Sequence, residues 1–183
     1  MTIQLLDAND NSPEFTESKY KFRVPENVTL GHKAGTVKAK DIDSGSFGTV
    51  TYVLHGFGTD KFRMNSESGD IYVAQSLDYE TQKTYTLMIE AKDGGGRVST
   101  VLVKVDLQDV NDNEPKFKMT EYTRIVREGA INFSPQLYIK AMDADGPDQG
   151  NGNITYSISE HNIMNNNVLK VMISFNVQMI SKN

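Results

Sequence analysis

An acidic string occurs twice in this chain. Residues 7–13 read DANDNSP and residues 109–115 read DVNDNEP, 102 positions apart. The same offset carries Pro13 onto Pro115, Phe15 onto Phe117, Tyr20 onto Tyr122, Glu26 onto Glu128, Asp41 onto Asp143 and Asp43 onto Asp145. Beyond that the register slips by two, so that Tyr52 answers Tyr156. The slip fits a longer loop, GPDQGNG in place of SGSFG. A repeat of this period restricts the fold more than any single motif. Each copy must be one small domain on a shared plan, and 183 residues suit one to two of them.

Inside the repeat the apolar residues fall at every second position. Tyr20, Phe22 and Val24 form one run, and Val50, Tyr52 and Leu54 a second. Tyr85, Leu87, Ile89 and Ala91 form a third, and Val101, Val103, Val105 and Leu107 a fourth. Alternation of this kind predicts half-buried strands, and no window shows convincing helical periodicity. Between the runs stand DSGSFG, NSESGD and KDGGG, which are turn sequences. Short strands with frequent turns point to an antiparallel β-sandwich. An apolar share of 38%, with 8 Tyr and 8 Phe, suits small cores better than one large one.

Strands and cores do not explain the acids. Glu26, Asp41, Asp43, Asp78, Glu80, Asp93, Asp109 and Asp112 gather at the ends of the runs, where a sandwich collects its loops. In D-I-D (Asp41, Asp43) and D-Y-E (Asp78, Glu80), alternate side chains of an extended backbone point the same way, so each pair can chelate one ion. The asparagines and carbonyls of DVNDN add neutral oxygens. Ca²⁺ takes six to eight oxygens of this mixed kind, whereas Mg²⁺ keeps its waters. Zinc would call for His or Cys; there is no cysteine, and His32, His55 and His161 are scattered. A net charge of -5 argues against nucleic acid and against an acidic membrane surface. Nor does any apolar run approach the length of a membrane span. The opening MTIQLLDAND has neither the basic nor the apolar region of a secretory leader. If the protein works outside the cell, this soluble chain is expected to be a piece of something longer.

Five short motifs then follow one another in order: P-E-N at Pro25, D-I-D at Asp41, L-D-Y-E at Leu77, A-K-D at Ala91 and D-V-N-D-N at Asp109. In that order and with those gaps the chain resembles extracellular cadherin repeats over roughly residues 1–160. The resemblance implies an all-β fold of tandem seven-stranded Greek-key β-sandwiches, one repeat complete and one truncated. It implies the last strand and linker of a preceding repeat in residues 1–11. A complete repeat with its linker then spans 12–113, and a partial repeat 114–183. It also implies three Ca²⁺ ions at each junction between repeats, which makes the acidic string a linker that calcium stiffens.

The family's ligands carry over residue by residue. At the second junction one ion would take Glu26, Asp78, Glu80 and Asp112. A middle ion would take Glu26, Glu80, Asp109, Asp112 and Asp145 with the Val110 carbonyl. A third would take Asn113, Asp143 and Asp145 with the carbonyls of Asn111 and Asn151. At the first junction the resemblance implies a complete third-type site from Asn11, Asp41, Asp43 and Asp93 with the carbonyls of Asn9 and Phe47.

From about residue 162 the expected motifs stop and EHNIMNNNVLKVMISFNVQMISKN leads into a non-homologous tail, in which Leu169, Val171, Ile173, Phe175 and Val177 alternate. Sequons at Asn27, Asn132 and Asn153 are candidate glycan sites of a glycoprotein. The functional expectation is a calcium-dependent adhesion module in the interior of a long ectodomain, on the extracellular face of the plasma membrane. The parent would be a membrane-anchored single-pass protein. Its partners would be other cadherin repeats of the same or a partner chain, met homophilically or heterophilically. The alternative is a calcium-binding spacer without adhesive contacts of its own. An enzyme is not expected: the carboxylates repeat at the linker instead of converging once in a pocket, and no nucleophile–His pair stands out.

Overall fold

The two longest alternations become the two longest strands. In the computed structural model, which describes residues 7–120, 122, 138–145, 152–156, 162–164 and 168–170, β8 is Thr84–Lys92 and β9 is Val98–Gln108. They pair antiparallel with Leu87 facing Val103 and Tyr85 facing Val105, and all four of these side chains are buried. The intervening residues point outward, as a period of two requires. The remaining strands of this first unit are β1 (Glu14–Phe15), β2 (Tyr20–Pro25), β3 (Lys33–Thr36), β4 (Ala39–Lys40), β5 (Thr51–His55), β6 (Phe62–Met64) and β7 (Asp70–Val73).

These strands make two sheets. One has the order β2–β9–β8–β5, antiparallel except for β2 beside β9, which is parallel. The other has the order β3–β7–β6, and β1 pairs with β4 beyond it. The chain crosses between the sheets from β2 to β3, from β5 to β6 and from β7 to β8, while β6–β7 and β8–β9 stay within one sheet. Val24, Leu87, Ile89, Val103 and Val105 from the first sheet bury against Phe62, Ile71 and Val73 from the second, with Val37 between β3 and β4. Phe62 meets Tyr85 edge to face at 5.3 Å. The buried Tyr52 reaches across with its hydroxyl and accepts a hydrogen bond from the Ala39 N–H at 2.8 Å, which satisfies its one polar atom. The sandwich expected from the period-two runs is therefore present, and no helix occurs among the described residues.

The β6–β7 hairpin depends on one glycine. Asn65 Oδ1 accepts from the N–H groups of Glu67 and Ser68, and Gly69 closes the turn at φ +75°. A Cβ on Gly69 would run into the backbone carbonyl of Val37, whose own N–H donates to the Gly69 carbonyl at 3.0 Å. Only glycine meets both conditions.

On the outer face, Lys21 of β2 stands directly opposite Lys104 of β9, an unfavourable pairing by itself. Asp106 lies between them, 2.9 Å from the Lys21 Nζ and 3.0 Å from the Lys104 Nζ, and accepts from the Thr84 hydroxyl at 3.0 Å. Lys21 first, then Lys104, holds the Asp106 carboxyl well below the usual carboxylate range. A lowered folded-state pKa means the stabilisation is complete above the unfolded carboxylate value of about 4. It is lost as pH falls through the folded-state value. Asp106→Asn is therefore expected to lower the melting temperature by a few degrees at neutral pH, since exposed pairs contribute about 0.2–1 kcal/mol each. The gap to the parent should close as the buffer is taken down from about pH 4. Melts in a pH series check both the gap and its closure.

The chain divides into two compact units, residues 1–108 and 109–183. The described part of the second unit repeats several hydrogen bonds of the first. β10 (Lys116–Phe117) pairs with β11 (Ala141–Met142) as β1 pairs with β4. The Tyr122 hydroxyl donates to the Lys140 carbonyl as that of Tyr20 does to Lys38. The Tyr156 hydroxyl accepts from the Ala141 N–H as that of Tyr52 does from Ala39. β12 (Asn162–Met164) and β13 (Val168–Lys170) form an antiparallel hairpin in the segment read from the sequence as a tail. The alternation from Val171 to Val177 lies outside the described residues.

Candidate metal centre

Three loops of the first unit bring acids to one place. The first is the D-I-D segment after β4. Its extended backbone exposes Ile42 (83%) and turns the half-buried Asp41 and the buried Asp43 to the same side. The second is the turn after β8, where Asp93 is 4% exposed. The third is the N-terminal string with Asn9 and Asn11. Carboxylate oxygens of Asp41, Asp43 and Asp93 lie within 4.8 Å of one another.

Each acid is fixed on one side by hydrogen bonds, Asp41 and Asp93 from nearby backbone and Asp43 from Asn11. Asp41 Oδ1 accepts from the Asp43 N–H at 2.9 Å. Asp93 Oδ1 accepts from Gly95 N–H at 2.9 Å and Arg97 N–H at 2.8 Å, which ties the D-G-G-G turn around it. Asp43 is held by Asn11, whose amide donates to Oδ1 at 2.6 Å and whose N–H donates to Oδ2 at 3.1 Å. That amide keeps the Asp43 carboxyl below the usual range against the opposing effect of burial.

The other oxygens are left over. Asp41 Oδ2, Asp93 Oδ2 and Asn9 Oδ1 are buried and have no hydrogen-bond partner among the described residues. Buried oxygens without a donor cost free energy, and two of them in one acidic group, with the Asn9 side chain against Gly95 in the turn beside it, ask for a cation. The set is all oxygen, carboxylates with an amide, which is the chemistry of Ca²⁺ more than of any softer ion. The residues present fit calcium. Gly95 helps to shape the place: a Cβ there would occupy the position of the Asn9 amide. Gly94 likewise sits against the Ser46 carbonyl in the turn at 45–48, which contains the half-buried Phe47. The sequence pointed to the Asn9 carbonyl; the structure leaves its side-chain oxygen buried and unclaimed, with the side chain against Gly95. The sequence signal for that contact is the glycine triplet 94–96 opposite it.

The other acids of the first unit are ordered differently. Glu26 is buried at the end of β2; its N–H donates to the Gln108 carbonyl at 3.1 Å and its carboxylate accepts from the Tyr79 N–H. Glu80 is half-buried and Asp78 exposed. Asp78 takes the Thr81 hydroxyl at 2.8 Å and the Thr81 N–H at 3.0 Å, and the hydroxyl is the main cause that lowers its pKa. In the second unit Asn113 holds Asp145 as Asn11 holds Asp43, its amide at 2.7 Å and its N–H at 3.2 Å. Asp143 Oδ1 accepts from the Asp145 N–H at 3.1 Å, matching Asp41. Asp109 is buried, Val110 and Asn111 are half-buried, and Asp112 is exposed. Asn151 and Asn132 lie outside the described residues, while Asn27 and Asn153 are exposed.

The family model of the cadherin domain matches residues 20–108, the span from β2 to the end of β9. Human protocadherin gamma-A1 is 39% identical over 156 residues, which cover 84% of this chain and 16% of that protein. The chain belongs to the cadherin superfamily. Human cadherin-23 is also 39% identical, over 85% of this chain and 5% of its own length, so this cadherin spans only a small part of the relatives it matches. Among solved structures, mouse cadherin-23 EC22-24 superposes with a TM-score of 0.76 at 34% identity, over 85% of this chain and 50% of that one. Extracellular domains 1–4 of protocadherin gamma B7 give 0.76 at 30% identity, over 94% and 43%.

Proposed function

We propose that this chain is a calcium-dependent adhesion segment from the ectodomain of a membrane-anchored cadherin, working on the extracellular face of the plasma membrane. Its partners are cadherin repeats of the same or another chain, and its role is adhesion, not catalysis. The observation that carries the reading is the group of Asp41, Asp43 and Asp93 with the unclaimed oxygens of Asn9, Asp41 and Asp93. A bound Ca²⁺ supplies positive charge that these oxygens otherwise lack. Asn11 and the D-G-G-G turn hold the carboxylates in place, so little ordering entropy is lost on binding. The linker ligands named from the sequence, from Glu26 to Asp145, extend the same role to the joint between repeats.

The test is a thermal melt across a calcium titration with magnesium as control. Extracellular calcium modules bind at about 10⁻⁴ to 10⁻³ M. At about ten times the dissociation constant one site adds about 1.4 kcal/mol, or about 6–11 °C for a unit of this size. A rise of that order per site in millimolar calcium, absent with magnesium, is expected. A melting temperature that ignores calcium would sink the proposal.

A further inference from the structure

The sequon Asn27-Val28-Thr29 lies in the turn between β2 and β3, and the metal reading gives it no role. Its three residues are sorted by the fold. Val28 is half-buried and packs against the core, while Asn27 and Thr29 are exposed. The turn is pinned at both ends: the Val28 N–H donates to the Pro25 carbonyl, and the His32 N–H donates to the Thr29 carbonyl at 3.0 Å. Among the described residues neither the Asn27 amide nor the Thr29 hydroxyl is engaged in a hydrogen bond. A substituent on the exposed Asn27 Nδ2 therefore displaces no hydrogen bond of the folded domain. Asn153 is exposed too, but it stands two residues from Asn151, a residue the sequence places among calcium ligands.

We propose that Asn27 is an N-linked glycosylation site of the mature protein. The proposal rests on the extracellular reading above, because the modification is made in the secretory route. The donor is an oligosaccharide carried on a lipid diphosphate. Asn27 Nδ2 bonds to the anomeric carbon, the carbon–oxygen bond to the diphosphate breaks, the diphosphate leaves with the electron pair, and the amide gives up one proton. The product keeps the amide neutral, so the adjoining Glu26 keeps its hydrogen bonds to Tyr79 and Gln108.

The experiment is secretion of the chain from cultured mammalian cells behind an added leader, with peptide mapping before and after enzymatic removal of N-glycans. The parent chain should carry a glycan on the Asn27 peptide. Both Asn27→Gln and Thr29→Ala, one removing the acceptor and the other only the hydroxyl, should lose that species completely while still being secreted. An unmodified Asn27 peptide in the secreted parent overturns the proposal, as does a glycan confined to Asn132 or Asn153. A calcium melt on the same material separates the two readings: a calcium response with a bare Asn27 leaves the adhesion segment standing and removes only the glycan.

Discussion

Asp93→Asn should abolish calcium binding at the first-unit site without unfolding the domain. The asparagine keeps an oxygen to accept from the Gly95 and Arg97 N–H groups, so the turn after β8 survives. It replaces the buried, unclaimed Oδ2 with an amide that points hydrogens at the place a cation would take. Calcium stoichiometry measured by calorimetry is expected to fall by one. The calcium-induced rise in melting temperature should shrink by that site's share, about 6–11 °C at ten times the dissociation constant. In chelator the sign reverses. Three carboxylates within 4.8 Å of one another repel when no ion lies between them, so the variant should melt no lower than the parent. An unchanged stoichiometry would remove Asp93 from the site and with it the geometric case for this metal centre.

Much of this was readable from residue order because it is local. Alternation over four or more positions identified the strands now called β2, β5, β8 and β9, and the D-I-D spacing placed Asp41 and Asp43 on one side of an extended segment. The repeat offset was readable for the same reason, and the matching bonds of Tyr20 with Tyr122 and of Asn11 with Asn113 give it a structural meaning. What escaped is nonlocal. The β6–β7 hairpin has strands of three and four residues, too short to show a period. In β3 the register shifts between Lys33 and Gly35, and Gly35 lies flat against the Phe22 ring, so no alternation survives there. The Asn9 side chain and Gly95 meet across 86 positions of sequence, and no spacing rule connects them. The clasp of Lys21, Lys104 and Asp106 exists only because β2 runs parallel beside β9.

Leu87→Ala should be the more damaging change, and its calcium response should be the opposite of that of Asp93→Asn. Leu87 is fully buried in β8, opposite Val103 and within the cluster that joins the two sheets. Cutting a buried leucine to alanine removes transfer free energy and leaves a cavity, at a cost of about 2–5 kcal/mol. For a unit of this size that is a fall of about 8–40 °C. Leu102 is one strand away in β9 but 57% exposed on the outer face, and Leu102→Ala should stay within about 0.5 kcal/mol of the parent. Leu87 lies in the middle of β8, six positions before Asp93, so its effect and that of calcium should add. The variant should melt far lower in chelator and still gain the full calcium increment, whereas Asp93→Asn should keep its chelator melting point and lose the increment. If calcium failed to raise the melting point of Leu87→Ala, the ion site would depend on core packing more closely than the backbone-held carboxylates imply. Paired melts of the two variants, with and without calcium, therefore distinguish a preformed site from one that only a tightly packed core can hold in shape.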